Sequence, residues 1–301
     1  MDQPLGERSY GYSYMKILVY GAGVIGSLYA ALLSEAGFNV SVYARGKRLE
    51  SLLESGLLFK KNNRIKSAHV TVISEVQRDD LYDFVFLAVR ENQLVTALEE
   101  LKDNVSPTIV TMVNSLDTYD AWEEICGKGR ILPAFPGAGG GFEKDVLDAA
   151  LIPRIIQPTT IGRTDGREKK LAAIFKRAKI PYQIVDDMHT WQICHLGMVV
   201  PIADAYYESE DPKNCGSDHR LMMATARQIK DNFRNISSEG VKLSPSKMYW
   251  FKVLPTPIVA LILGIVFQSD FGDRFMYRHS MKAPDEMKRL HELFYNYLKK
   301  I

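Results

Sequence analysis

Between Ile17 and Arg45 the sequence reads ILVYGAGVIGSLYAALLSEAGFNVSVYAR, and no other stretch constrains the fold as tightly. It opens with an apolar run, Ile17-Leu18-Val19-Tyr20. The turn Gly21-Ala22-Gly23-Val24-Ile25-Gly26 follows, then an Ala/Leu-rich segment from Ser27 to Ala36 with helical spacing. Gly37 stops that segment, and a second strand-like run, Val40-Ser41-Val42-Tyr43, leads to Arg45. The order strand, turn, helix, strand gives each glycine a job. Gly21 permits the tight turn, Gly23 lets backbone approach a pyrophosphate, and Gly26 lets the helix pack closely on the strand. A diphosphate would then sit on Gly21, Ala22, Gly23, Val24, Ile25 and Gly26 at the helix N-terminus. Unpaired N–H groups and the helix dipole favour negative charge there.

The far end of the unit discriminates between cofactors. A ribose with a free 2′-hydroxyl is usually met by an acid after the second strand. Here the chain has Arg45-Gly46-Lys47-Arg48, and no carboxylate occurs before Glu50. The cations suit a 2′-phosphate, so NADP(H) is the expected cofactor, with Arg45 its partner. Lys47 and Arg48 are equally readable as a solvated helix start.

Composition narrows the class. The chain has 301 residues, 46% hydrophobic and 25% charged, which suits a globular protein with room for two cores. A net charge of +2 without a basic tract argues against nucleic acid. Three widely spaced cysteines, Cys126, Cys194 and Cys215, fit a reducing, cytoplasmic setting and supply no metal framework. Residues 1–14 lack an apolar signal region and read as a mobile extension ahead of Met15-Lys16. The longest apolar run, Pro257 to Phe267, is shorter than the about 20 residues of a membrane span and reads as a buried core helix.

The α/β pattern continues from Gly46. A helix is expected over Lys47–Glu54. Strands are expected at Leu57–Lys60 and Ile65–Ile73 around an Asn62-Asn63 turn. Asp83–Val89 is a continuous apolar strand of the kind buried on both faces, with Arg90 at its ligand-facing end. A helix over Gln93–Leu101, a strand over Thr108–Val113 ending at Asn114, a helix over Asp117–Cys126 and a strand over Ile131–Phe135 follow. Gly137-Ala138-Gly139-Gly140-Gly141 lacks the lysine of a phosphate loop and reads as a flexible turn. After a strand over Arg154–Gly162, a helix over Glu168–Ala178 and a short strand over Tyr182–Val185, strand signals cease. Helices are expected from Asp187 to Tyr207, from Ser217 or Asp218 to Ser237, after Pro245, and from Asp285 to Lys299 behind Pro284. The expected architecture is α/β: a Rossmann-type dinucleotide-binding domain over residues 15–186, then an all-α substrate or dimerisation domain over 187–301.

Several segments resemble the ketopantoate reductase (2-dehydropantoate 2-reductase) family. KILVYGAGVIGSLYAALLSEAGFNVSVYARG is similar to its start, as is LESLLESGL. FVFLAVRENQ resembles the end of its fourth strand, placing Arg90 and Gln93 in the cofactor region. TMVNSLD resembles its strand ending in asparagine, here Asn114. Trp191 resembles a tryptophan opening its second domain, SSEGVKLS its interhelical loop, and HSMKAPDEM a region with a substrate-binding serine and an acid. The resemblance implies hydride transfer from NADPH to a 2-oxo acid in a cleft between domains, a step of pantothenate biosynthesis in that family. It implies that Asn114 approaches the nicotinamide ribose and substrate, Ser280 binds substrate, and Glu286 is the acid.

The second domain departs from the pattern. The family's general acid is a lysine two residues after the tryptophan, and this chain has Ile193 there. Two family asparagines fall on Gly197 and Pro201. His189, four residues before Ile193 and on its face, is the alternative acid. His195, about 200° around the helix, points away. His279 and Lys282 are further candidates. Three readings stand: an NADPH-dependent reductase with a more apolar substrate and a relocated acid, a ketopantoate reductase whose second domain is misaligned, or a non-catalytic NADP(H)-binding sensor. A small-molecule substrate is the expected partner, with no nucleic acid, membrane or metal, and the apolar helices allow a homodimer.

Overall fold

The computed structural model describes residues 15–300, so the expected N-terminal extension lies outside the described residues. An eight-stranded sheet forms the centre, in the order β12-β11-β8-β7-β6-β1-β2-β5. Its strands are β1 (Lys16–Tyr20), β2 (Asn39–Tyr43), β5 (Thr71–Ile73), β6 (Phe84–Leu87), β7 (Ile109–Thr111), β8 (Ile131–Phe135), β11 (Thr159–Gly162) and β12 (Tyr182–Val185). The six strands from β5 to β8 are parallel, and β11 joins β8 antiparallel. Counting along the chain, those six take the doubly wound order 3-2-1-4-5-6, with the crevice at the strand C-termini.

The apolar run of β1 is explained by burial on both faces. Ile17 and Val19 enter one core with α1 (Val24–Glu35) and α5 (Arg167–Arg177). Leu18 and Tyr20 enter the opposite core with α3 (Leu94–Leu101) and α4 (Tyr119–Cys126). The helix α2 (Gly46–Ser55) follows β2 and buries only Leu52.

A second sheet, β4-β3-β10-β9, covers α1 from outside and corrects two expectations. The predicted Ile65–Ile73 strand is two strands in different sheets, β4 (Arg64–Ala68) and β5. Asn62 and Asn63, at φ 51° and 58°, turn β3 (Leu57–Lys61) into β4. The glycine run is no flexible turn. It is β9 (Ala138–Glu143), paired antiparallel with β10 (Val146–Leu151). The missing side chains make room: a Cβ on Gly139 would lie 2.7 Å from the Phe275 ring, and one on Gly141 1.9 Å from Lys282 Nζ. Period-2 hydrophobicity cannot signal a strand whose contact side is glycine. The predicted Arg154–Gly162 strand is likewise shortened to β11.

The rest is helical: α6 (Met188–Glu208), α7 (His219–Ser238), α8 (Tyr249–Val253), α9 (Thr256–Phe267), α10 (Asp270–Gly272), a π-helical turn over Asp273–Tyr277, α11 (Arg278–Lys282) and α12 (Pro284–Leu298). Asp187 and Asp218 cap α6 and α7 as expected, accepting the Thr190 and the Arg220 and Leu221 amides. The expected core helix α9 is buried on one side only. Val259, Ala260, Leu263 and Phe267 face inward, whereas Leu261 and Ile265 are 65% and 63% exposed. Among the described residues no single helix is long and apolar enough to cross a membrane.

Candidate active site

The glycine turn has the shape its sequence implies. Gly21 sits at φ 109°, and a Cβ there would lie 2.4 Å from the Ala88 carbonyl oxygen. A Cβ on Gly26 would lie 1.9 Å from the Gly21 carbonyl oxygen. Gly23 differs: nothing lies within 4 Å of its Cβ position, so its glycine leaves open space beside the N-terminus of α1. That first turn carries no acidic residue and no side-chain cap, which leaves its N–H groups for an anion. The turn thus fits the diphosphate of a dinucleotide.

The cations after β2 are placed less simply than the sequence implies. Arg48 is half-buried. Its Nε donates to the Ala22 carbonyl at 3.2 Å and its guanidinium lies 4.3 Å from the Phe142 ring centre, bracing the glycine turn from behind. Burial lowers its pKa below that of a free arginine. Arg45 caps α2 from an extended backbone, and its Nη1 donates to Glu100 Oε1 at 2.9 Å. Glu100 lies on α3, so a carboxylate does stand at this end of the unit, delivered by a distant element.

Buried polar groups lie along the seam between sheet and helices. Gln192 Nε2 donates to the Val113 carbonyl at 3.0 Å, and Tyr119 Oη donates to Gln192 Oε1 at 3.1 Å. This fixes the start of α6 against the chain leaving β7. Asn114 comes next, and its Oδ1 is buried without a hydrogen-bond partner. The imidazole of His195 stacks on Trp191 at 5.0 Å, interplanar 9°, and lies 4.6 Å from Phe135 at the end of β8. Trp191 Nε1 and His195 Nδ1 are also buried and unpartnered. Burial, then the neighbouring His279, lowers the pKa of His195 to about 3, so it is neutral near pH 7. Three orphaned polar atoms on one seam are what a polar ligand would satisfy.

Ile193 faces the other way. It is 2% exposed and belongs to the core of the helix-rich part. A Cβ on Gly197, one turn on, would meet Ile236, Phe233 and Phe294 at 3.3 to 3.5 Å. Pro201 has no N–H to give the Gly197 carbonyl four residues earlier. Asn232 of α7 supplies it, its Nδ2 donating to that carbonyl at 3.0 Å. Ile193 is thus packed into a core, with Gly197 close against α7 and α12. His195 lies on the opposite side of α6, as the helical rotation implies.

His189 does not join the His195 group. It lies edge-on to Tyr119 and Tyr297, each at 6.4 Å, with Nδ1 unpartnered. Lys282 lies over the glycine strand β9. Ser280 is buried, and its carbonyl accepts the Tyr207 hydroxyl at 2.5 Å. Glu286 is half-buried, and burial raises its carboxyl pKa against the lowering effect of Arg90. The structure therefore brings Arg90, at the end of β6, to Glu286 across the seam. Gln93 is exposed, and its Oε1 accepts the Arg90 amide at 3.3 Å.

Sequence reasoning missed Glu91, Glu100, Gln192 and Asn232. Glu91 is buried and paired with Arg289 of α12, Nη2 to Oε1 at 3.1 Å. No local pattern marks these residues, because each partner lies on another element. Open depressions of about 720 Å³, lined by Asp211, Cys215 and Arg220 among others, and about 310 Å³, lined by Pro201, Asp204 and His291 among others, lie on the helix-rich side. Neither is lined by the glycine turn or Asn114.

Fold and site together define a dinucleotide-binding α/β protein with a helix-rich second part. Residues 17–145 match the family described as ketopantoate reductase PanE/ApbA. The 2-dehydropantoate 2-reductase of Mesorhizobium japonicum is 35% identical over 140 residues, 45% of this chain and only 38% of that enzyme's length. That of Pyrococcus horikoshii is 29% identical over 248 residues, 78% of this chain and 77% of the enzyme. Among solved structures, a 2-dehydropantoate 2-reductase from Geobacter metallireducens superposes with a TM-score of 0.67 at 17% identity, covering 95% of this chain and 99% of that one. A D-mandelate dehydrogenase with NADH and anilino(oxo)acetate superposes at 0.63 and 16% identity, with the same coverages. These two likenesses establish the shared fold.

Proposed function

We propose that the chain is an NADP(H)-dependent reductase of 2-oxo acids, with a substrate more apolar than ketopantoate. The carrying observation is a set of orphaned buried polar atoms, Asn114 Oδ1 next to the Val113 carbonyl that moors α6, and Trp191 Nε1 and His195 Nδ1 in the aromatic wall with Phe135. The relatives named above are 2-dehydropantoate 2-reductases, and one structural neighbour is a D-mandelate dehydrogenase with NADH and anilino(oxo)acetate.

The bound nicotinamide would supply hydride. The residues of the chain hold and orient. Gly21 to Gly26 receive the diphosphate, and Arg45 serves a 2′-phosphate. Asn114 fixes the ribose and substrate side. Arg90 offers the positive charge that a 2-oxo acid carboxylate needs. Phe135 and Trp191 favour an apolar side chain and exclude water. Reduction of a carbonyl leaves an alkoxide that needs a proton. Glu286 has its pKa raised by burial and so retains its proton to higher pH, which fits it to donate. His189, between its two tyrosines, does not share the aromatic wall.

NADPH consumption, followed by absorbance across 2-oxo acids of increasing apolarity, tests this. Branched or aromatic members should turn over at least tenfold faster than ketopantoate. Tight NADPH binding with no turnover of any member would overturn the proposal in favour of a non-catalytic binder.

A further inference from the structure

The end of β2 carries more than the arginine the sequence singles out. Glu100 accepts three donors there. Arg45 Nη1 donates to its Oε1 at 2.9 Å, and the hydroxyls of Tyr20 and Tyr43 both donate to Oε2, the latter at 3.3 Å. Tyr20 and Tyr43 are the last residues of β1 and β2, and their rings stack at 4.4 Å. The Arg45 guanidinium lies 5.6 Å from the Tyr43 ring centre.

This arrangement grips the two sides of the ion pair unequally. The carboxylate is held from the sheet by two phenols. Arg45 is 54% exposed at its side chain, and such exposed pairs are weak, so the guanidinium can leave at little cost. When it leaves, Glu100 keeps both tyrosine hydroxyls and is not stranded. A ribose 2′-phosphate needs Arg45, must take it from Glu100, and then lies near a fixed negative charge. A ribose with a free 2′-hydroxyl needs nothing from Arg45 and leaves the pair intact.

We propose that Glu100 is a cofactor-selectivity residue: held by Tyr20 and Tyr43, it competes with a 2′-phosphate for Arg45 and narrows the preference for NADPH over NADH. The proposal rests on the dinucleotide reading of the glycine turn. It places the selectivity of the site on a carboxylate from α3, outside the β1–α1–β2 unit.

Dissociation constants for NADPH and NADH, measured by calorimetry on the full chain, test it. Wild type should prefer NADPH by less than tenfold. Glu100→Gln, which keeps the shape and removes the charge, should widen that ratio at least fivefold by tightening NADPH alone. Glu100→Ala should act in the same direction and guards against a peculiarity of the amide. Tyr20→Phe, which loosens the carboxylate without removing its charge, should produce a smaller widening. A ratio within twofold of wild type in both Glu100 variants overturns the proposal while leaving cofactor binding in place. Failure of wild type to bind either cofactor overturns the dinucleotide reading and this proposal with it.

Discussion

Gly26 in α1 and Gly197 in α6 both let a helix approach something closely, and they differ in where that something comes from. The obstacle at Gly26 is the Gly21 carbonyl, five residues back in the same turn, 1.9 Å from a hypothetical Cβ. At Gly197 the neighbours are Phe233 and Ile236 of α7 and Phe294 of α12, at 3.3 to 3.5 Å. The first contact is local, backbone against backbone, and cannot yield. The second is made by the ends of side chains gathered from far along the chain. A short-range motif therefore encodes the one and no motif encodes the other.

Substituting both glycines by alanine should expose the contrast most sharply. Gly26→Ala should cost about 3 kcal/mol of stability in urea unfolding and lose dinucleotide binding, because the new methyl meets a carbonyl that overpacking cannot displace. Gly197→Ala should stay within about 1 kcal/mol of wild type, since alanine's helix propensity offsets a contact that side-chain tips can relieve. Equal losses would erase the distinction.

A smaller effect is expected at Asn232. Replacing it by leucine leaves the Gly197 carbonyl buried and unpaired, which should lower stability by about 2 kcal/mol. In the double variant with Pro201→Ala the helix recovers its own N–H, and much of that loss should return. If it does not, the amide has another role than mending the helix.

The smallest effect is in pH dependence. The His195 pKa falls to about 3 in the fold, below the roughly 6.5 of an unfolded chain. The folded state thus binds the proton less well, so this stability is fully present above the unfolded pKa and drains away as pH falls toward 3. Between pH 7 and 5.5 the loss should be about 1 kcal/mol, and His195→Phe should remove that slope in urea titrations at the two pH values. An unchanged slope would mean that His195 finds a partner when protonated.

The same contrast explains what the sequence disclosed. Strand β1, the glycine turn, α1 and β2 follow from hydrophobic period and glycine chemistry inside thirty residues. The caps Asp187 and Asp218 are local too, and were legible. The strand β9 was not, because glycines at its contact positions answer to Phe275 and Lys282 on later elements. The sequence offers Ile193 where the resemblance expects an acid. Its packing into the helical core, and the stacking of Trp191 and His195 against Phe135 on the opposite side of α6, depend on tertiary contacts. Glu100 is the plainest case: no carboxylate follows β2 in sequence before Glu50, yet one stands beside Arg45 in space.

The bond from Asn232 to the Gly197 carbonyl also has a mechanical side. A long helix with a proline past its midpoint is a natural place to flex. Here the neighbouring helix stitches that point, while Gln192 moors the first turns of α6 to the backbone behind Asn114. The helix is thus held at its first turns by the sheet and near its middle by α7. A helix so held resists bending at its proline, and its first half keeps a fixed angle to the sheet.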